Sequence, residues 1–131
     1  MAAITEDYVS FEIAKLLKEK GFKGLGNCFY EKGRIIDFNN YWWRITPKER
    51  YNSIEAPTLQ MAMKWLRKEH YCHIVIDYTF TADANLSEEY VSYCYKVENA
   101  KTYMQYTHNE WYNTYEEACE AAIKYCLEHL I

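Results

Sequence analysis

The chain of 131 residues has little glycine or proline, with four and two residues respectively. Scarce Gly and Pro, beside 50% hydrophobic and 26% charged residues, exclude a disordered or low-complexity protein and are typical of a globular one. A chain of this length folds as one domain and buries about two thirds of the surface of its unfolded form. We therefore predict a single domain over residues 1–131 that needs neither metal nor disulfide to fold.

Signals for export and membrane insertion are also missing. The start "MAAITEDYVSFEIAKLL" has no basic segment followed by an uninterrupted apolar run, and no later run approaches the length of a membrane span. The five cysteines are an odd number, and none has the C-x-x-C spacing of a zinc or redox motif. These features predict a cytoplasmic protein with reduced thiols, no cofactor and no membrane contact.

Catalytic and phosphate-binding motifs are absent from the sequence, including G-x-S-x-G, the P-loop, G-x-G-x-x-G and H-E-x-x-H. The glycines of "KGLGN" at 23–27 follow a predicted helix instead of a strand, which favours a bend over a phosphate site. Residues 51–131 carry six Lys and Arg against twelve Asp and Glu, which argues against a broad nucleic-acid-binding face. An enzyme with scattered catalytic groups stays open.

Three segments have the apolar period of an α-helix. The first is predicted from about Glu6 to Lys20 with Thr5 as N-cap, or with Ser10 as N-cap if the helix is shorter. The second is "APTLQMAMKWLRKEH", which Pro57 opens. The third follows "TYEE" at 114–117, a capping box, and continues to the last residue.

Strand patterns lie between these helices. A hairpin is predicted in "NCFYEKGRIIDF", and the alternating runs at 73–80 and 91–97 predict an antiparallel pair. Residues 39–56 indicate an irregular loop with a short strand at 42–45, and 99–111 leaves room for one further short strand. We predict an α+β fold with three helices packed on a small antiparallel sheet, in the order α-β-β-α-β-β-α.

The densest group of ligand-type side chains is "HYCHIVID" at 70–77. His70 is expected in the last turn of a helix, where the helix dipole favours an imidazolium without any metal. Cys72 and His73 are neighbours entering a strand, so their side chains diverge, and Asp77 lies about 13 Å beyond His73 along that strand. The segment is therefore predicted to be a helix-to-strand junction.

A small metalloprotein or enzyme is the alternative interpretation of this segment. Four converging ligands are typical of zinc, so a site here has to recruit a cysteine from another strand, Cys28 or Cys94. The candidate ligand set is then Cys72, His73 and Cys94, with Asp77 beside it.

Aromatic and cationic residues concentrate in "YWWR" and its surroundings. Tyr, Trp and Arg anchor protein interfaces, and rings beside cations also stack single-stranded bases. The structural alternative places one Trp in the core and covers the other with the loop. The candidate partner-binding residues are Tyr41, Trp42, Trp43, Arg44 and Tyr51.

The segments "YVSFEIAKLLKEKGF" at 8–22, "APTLQMAMKWLRKEH" at 56–70 and "TYEEACEAAIKYCLEHLI" at 114–131 resemble a family of small uncharacterised proteins of gut bacteria and their phages. The layout is also similar to the phage ABA sandwich domain. The resemblance implies a phage-derived, non-secreted domain with helices packed on a central sheet. It covers about a third of the chain and assigns no site residue.

These features together predict a small accessory protein of a phage or mobile element that acts by protein–protein binding. Its partner is an unknown protein, and a second copy of the chain, forming a homodimer, is one candidate. Single-stranded nucleic-acid binding through the aromatic loop is a second alternative function, beside the metalloprotein.

Overall fold

A computed structural model describes residues 4–23, 28–31, 34–37, 54–81 and 90–131. In these ranges the helices are α1 (Phe11–Glu19), α2 (Leu59–His70) and α3 (Tyr115–Tyr125), and a π-helical turn, Cys126–Leu130, continues α3. The strands are β1 (Cys28–Glu31), β2 (Arg34–Asp37), β3 (Ile54–Glu55), β4 (Cys72–Thr81), β5 (Tyr90–Asn99) and β6 (Gln105–Thr107).

The α+β class and the predicted order of elements are confirmed. The described strands divide between two antiparallel sheets of three, β2-β1-β3 and β4-β5-β6, where the sequence predicted one small sheet. Each sheet contains one of the two predicted strand pairs and one additional short strand. β3 lies in a segment predicted as irregular loop, and β6 is the further strand for which residues 99–111 left room.

The chain divides into two compact units, Met1–Ala62 and Met63–Ile131. The division falls within helix α2, which belongs to both units. The prediction of one domain stays a prediction.

In the first unit, helix α1 has the later of its two predicted starts. Its N-cap is Ser10, whose hydroxyl accepts a hydrogen bond from the Ile13 amide at 3.3 Å, so Thr5 is not the cap. The residues before it are extended, because the Val9 amide donates to the Pro57 carbonyl at 3.0 Å. This long-range backbone pairing outweighs the helix propensity of the segment.

The predicted hairpin is present as β1 and β2, and β3 pairs with the other edge of β1. The Tyr30 hydroxyl of β1 donates to the Val9 carbonyl at 2.6 Å. Helix α2 begins at Leu59, two residues after Pro57, and the Thr58 hydroxyl accepts from the Met61 amide at 3.1 Å. Thr58 therefore caps α2.

The second unit is built on the long antiparallel pair of β4 and β5, which confirms the predicted strand pair. All ten residues of β4 are paired, from Cys72 opposite Asn99 to Thr81 opposite Tyr90. Because side chains alternate along a strand, this register defines two faces. The covered face includes Cys72, and the open face includes His73.

Helix α3 packs against the covered face. Its predicted cap is confirmed, since the Thr114 hydroxyl accepts from the Glu117 amide at 3.1 Å. The helical period predicts an apolar row of eight residues, of which Tyr115 is exposed and Leu130 half-buried. The other six are buried: Ala118, Cys119, Ala122, Ile123, Cys126 and Leu127.

A short turn joins β5 to β6. The Asn99 side-chain oxygen accepts from the backbone amides of Lys101 at 2.9 Å and Thr102 at 3.0 Å. Tyr103 has a φ of 62°, and its amide donates to the Asn99 carbonyl at 2.8 Å. One asparagine thus organises the whole turn.

Candidate functional site

The predicted metal ligands are distributed over both faces of the β4–β5 pair. Cys72 is fully buried on the covered face, whereas His73 is exposed on the open face. Cys94 lies on the open face directly opposite Asp77. Asp77 is four residues from His73 along β4, so Cys94 is about 13 Å from His73. The structure does not bring Cys72, His73 and Cys94 together.

Within the described residues, no group of three or more His, Cys, Asp or Glu side chains is arranged to hold a metal ion. The segment 70–77 is the predicted junction: α2 ends at His70, and β4 begins at Cys72. Between them Tyr71 has a φ of 60°, so the chain turns through a left-handed residue. The Cys72 thiol donates to the His70 carbonyl at 3.5 Å.

Opposite charges alternate on the open face. Lys96 of β5 lies opposite Val75, and its ammonium group is 3.0 Å from the Glu98 carboxylate. Hydrogen bonding to Glu98 raises the pKa of Lys96, and the charge of Asp77 adds to this effect. This pattern is typical of a solvated face.

Cys72 also contacts a second buried thiol, Cys126 of the π-helical turn, through a hydrogen bond. This bond, together with burial, raises the pKa of the Cys126 thiol. Both side chains are fully buried, which makes the pair part of the core.

The predicted partner-binding residues are Tyr41, Trp42, Trp43, Arg44 and Tyr51, and all of them lie outside the described residues. Their predicted role stays a prediction. The short strand predicted at 42–45 lies in the same range.

Apolar side chains on the covered face become exposed toward the far end of the strands. Tyr78 is 68% exposed and Phe80 60%, although both follow Ile74 and Ile76 on the same face. Val91, directly opposite Phe80, is 37% exposed. We call Tyr78, Phe80 and Val91 the apolar patch.

The position of α3 explains the patch. The ring of Tyr115, the first residue of α3, meets the ring of Tyr93 with centroids 6.2 Å apart, and Tyr93 lies opposite Tyr78. The helix then runs toward the end of the sheet that carries Cys72, where Cys126 lies. It therefore starts beside Tyr93 and extends away from Phe80.

Aromatic rings gather near the other end of α3. Tyr125 contacts His108 with ring centroids 4.5 Å apart and His129 with centroids 5.0 Å apart. Tyr95 adjoins both Tyr125 and His108. Burial raises the pKa of the Tyr95 hydroxyl, and the neighbouring tyrosines add to that effect. The group closes the edge of the core.

Strand β4 forms one edge of its sheet, because the order of the described strands is β4-β5-β6. It is ten residues long and contains no Pro, Gly or Lys, which are the residues that blunt an exposed edge. Its only acidic or basic side chains are His73 and Asp77. Among the described residues, no other strand pairs with this edge.

Sequence reasoning missed the apolar patch and this edge. Alternation at 73–80 predicted one apolar face correctly but could not reveal where α3 stops covering it. The signal was the surplus length of the strands, since α3 with eleven residues spans about 16 Å and β4 with ten spans about 33 Å.

No protein-family model, curated protein or solved structure matches this chain. None of the helices in the described residues has both the length and the apolar character needed to cross a membrane.

Proposed function

We propose that this chain is a small, non-enzymatic accessory protein that acts by binding another protein through the second unit. The observation that supports the proposal is the apolar patch, where the apolar row of the covered face continues beyond the first residue of α3. Exposed aromatic side chains anchor protein interfaces because they bury a large area at low entropic cost. Phe80 and Val91 face each other across the strands, so the row forms one surface.

We also propose that the protein is cytoplasmic and of phage or mobile-element origin. The helix segments at 8–22, 56–70 and 114–131 support this origin through their resemblance. The flanking genes provide the check: integrase or virion genes beside the coding sequence support it, and only host housekeeping genes there contradict it.

Site-specific photocrosslinking tests the binding surface. Phe80 is replaced by the photoreactive p-benzoylphenylalanine, and the purified protein is irradiated in host extract. We expect a discrete adduct that saturates, that excess unmodified protein competes away, and that Tyr78→Ser reduces. The mass of the adduct tells whether the partner is a different protein or a second copy.

The matched control places the same photoreactive residue at Tyr103, which is 87% exposed in the turn between β5 and β6. This position is more exposed to solvent than Phe80 and lies outside the apolar patch. Equal adducts at Phe80 and Tyr103, or no competed adduct at Phe80, contradict the proposal.

A further inference from the structure

We propose that two copies of the chain pair edge to edge through β4, so that their three-stranded sheets form one continuous antiparallel sheet. The inference rests on the proposed function for the premise that the chain acts by protein contact, and it names a second copy as the partner. Strand addition at an exposed edge satisfies the outward N–H and C=O groups and supplies affinity without a preformed pocket. Strand β4 is the long edge of its sheet, since β6 at the other edge has three residues.

Two-fold symmetry limits the registers that are possible. In an antiparallel pair, opposed side chains lie on the same face, so open-face residues of one copy must meet open-face residues of the other. In each allowed register, one central residue therefore lies opposite the same residue of the second copy. The candidates near the middle of β4 are Val75, Ile76 and Asp77.

Charge selects among these registers. Centring on Asp77 opposes two carboxylates, and centring on Ile76 opposes Asp77 to an apolar Val75. Centring on Val75 places His73 opposite the partner's Asp77, and symmetry repeats that pair. In this register the imidazole of His73 can donate a hydrogen bond to the partner's Asp77 carboxylate, whereas opposed like charges destabilise a sheet, so β4 is self-complementary in the Val75 register.

The neighbouring strand is compatible with this arrangement. His73 already lies opposite Glu98 of β5. The charge of Asp77 contributes to the raised pKa of Lys96 on β5. In the paired sheet, the imidazole of His73 lies between Glu98 and the partner's Asp77. The charge alternation of the open face thus continues across the new boundary.

The covered face gains apolar contacts in the same register. Ile74 lies opposite the partner's Ile76, and Cys72 lies opposite the partner's Tyr78. Tyr78 is 68% exposed in one chain, and pairing places its ring beside the α3-covered end of the partner's sheet. Burial of this apolar area favours association.

Sedimentation velocity on the purified full chain over a wide concentration range tests the inference. We expect a reversible dimer. Val75→Lys puts two ammonium groups face to face at the symmetry centre and should weaken the dimer about 100-fold, because opposed like charges cost several kcal/mol. Val75 is on the open face and 37% exposed. Its cross-strand neighbour Lys96 is paired with Glu98, so the new ammonium group should cost the fold of each chain no more than about 1 kcal/mol.

Thr79→Lys is the matched control. Thr79 is also exposed on the open face of β4, but in the Val75 register only residues 72–78 pair with strand residues of the partner. We expect this variant to keep the dimer within about threefold of the original affinity. Circular dichroism confirms that both variants are folded.

A second pair of variants reads out the register directly. In a Cys94→Ser background, Val75→Cys should form a disulfide-linked dimer under mild oxidation, because Cβ atoms of opposed residues lie about 5 Å apart. Thr79→Cys should not, since the two Thr79 positions are about 26 Å apart in this register.

A chain that is monomeric at every concentration, or equal weakening by Val75→Lys and Thr79→Lys, overturns the self-pairing. If a monomer still gives the competed Phe80 adduct with a different protein, the proposed function stands and only the self-pairing fails. A monomer that gives no adduct overturns both.

Discussion

The two faces of the β4–β5 pair are made from alternate residues of the same two strands, yet they have opposite properties. On the covered face Cys72 and Val97 are fully buried beneath or beside α3, whereas the open face carries His73, Asp77 and the Lys96–Glu98 ion pair. The side chains that point to the covered face pack in the core and specify the fold. The side chains that point to the open face are free to specify contacts with other molecules.

Thiol reactivity should show the largest difference between the faces. Cys94 on the open face is half-buried, and Cys72 on the covered face is fully buried. Alkylation of Cys72 requires the core to open at a cost of about 5 kcal/mol or more, so its rate should be at least about a thousandfold lower than that of Cys94. Pulsed iodoacetamide labelling with peptide mass spectrometry measures both rates.

The same labelling in concentrated urea is the control, because both thiols should then react at similar rates. Similar rates in the native protein would contradict the assignment of the two faces.

Valine truncation should give the next largest difference. Val97 is fully buried on the covered face, and Val75 is 37% exposed on the open face of the adjacent strand. Val97→Ala removes buried methyl groups and leaves a cavity, so we expect a loss of about 2 kcal/mol in the free energy of unfolding. Val75→Ala should cost less than about 0.5 kcal/mol.

Urea unfolding followed by circular dichroism measures both variants, at a protein concentration low enough to keep the chain monomeric. Equal losses would show that the open face is packed against something in the single chain, and the comparison would fail.

The smallest expected effect concerns alkaline pH and the helix that covers the sheet. Burial raises the pKa of the Cys119 thiol from 9.0 to about 11. The folded state therefore favours the neutral thiol, so this contribution to stability is present below pH 9 and is lost as the pH rises toward 11. Its size is on the order of 1 kcal/mol.

Urea unfolding from pH 8 to 11, compared between the original protein and Cys119→Ala, isolates this contribution. The variant should lose less stability over that range, because it lacks the Cys119 thiol. Other buried groups such as Tyr95 titrate in both proteins, so their contribution cancels in the comparison. Parallel pH profiles would assign the alkaline loss to those other groups.

The parts of the fold that sequence reasoning predicted are those with local physical signals. The cap at Thr114 and the apolar row of α3 need only the helix period, and the alternation of 73–80 and 91–97 needs only the strand period. The sequence left two starts open for α1, because the bond between Val9 and Pro57 that favours the start after Ser10 is a distant contact that no local pattern carries.

The same distinction applies to the site. Divergence of Cys72 and His73 followed from strand alternation and is confirmed by their burial. Whether Cys94 joins them depended on register, which places it opposite Asp77. The exposure of Phe80 depends on where α3 begins, and that is a property of tertiary packing.

The turn organised by Asn99 has a consequence for folding kinetics. The hydrogen bonds that Asn99 makes within the turn join residues at most five positions apart in the chain, so the loop closes with little entropic cost and on a microsecond timescale typical of hairpins. Strands β5 and β6 can therefore pair without closing a long loop. We expect the turn to form early in folding, so Asn99→Ala should slow refolding more than it speeds unfolding, as stopped-flow circular dichroism would measure.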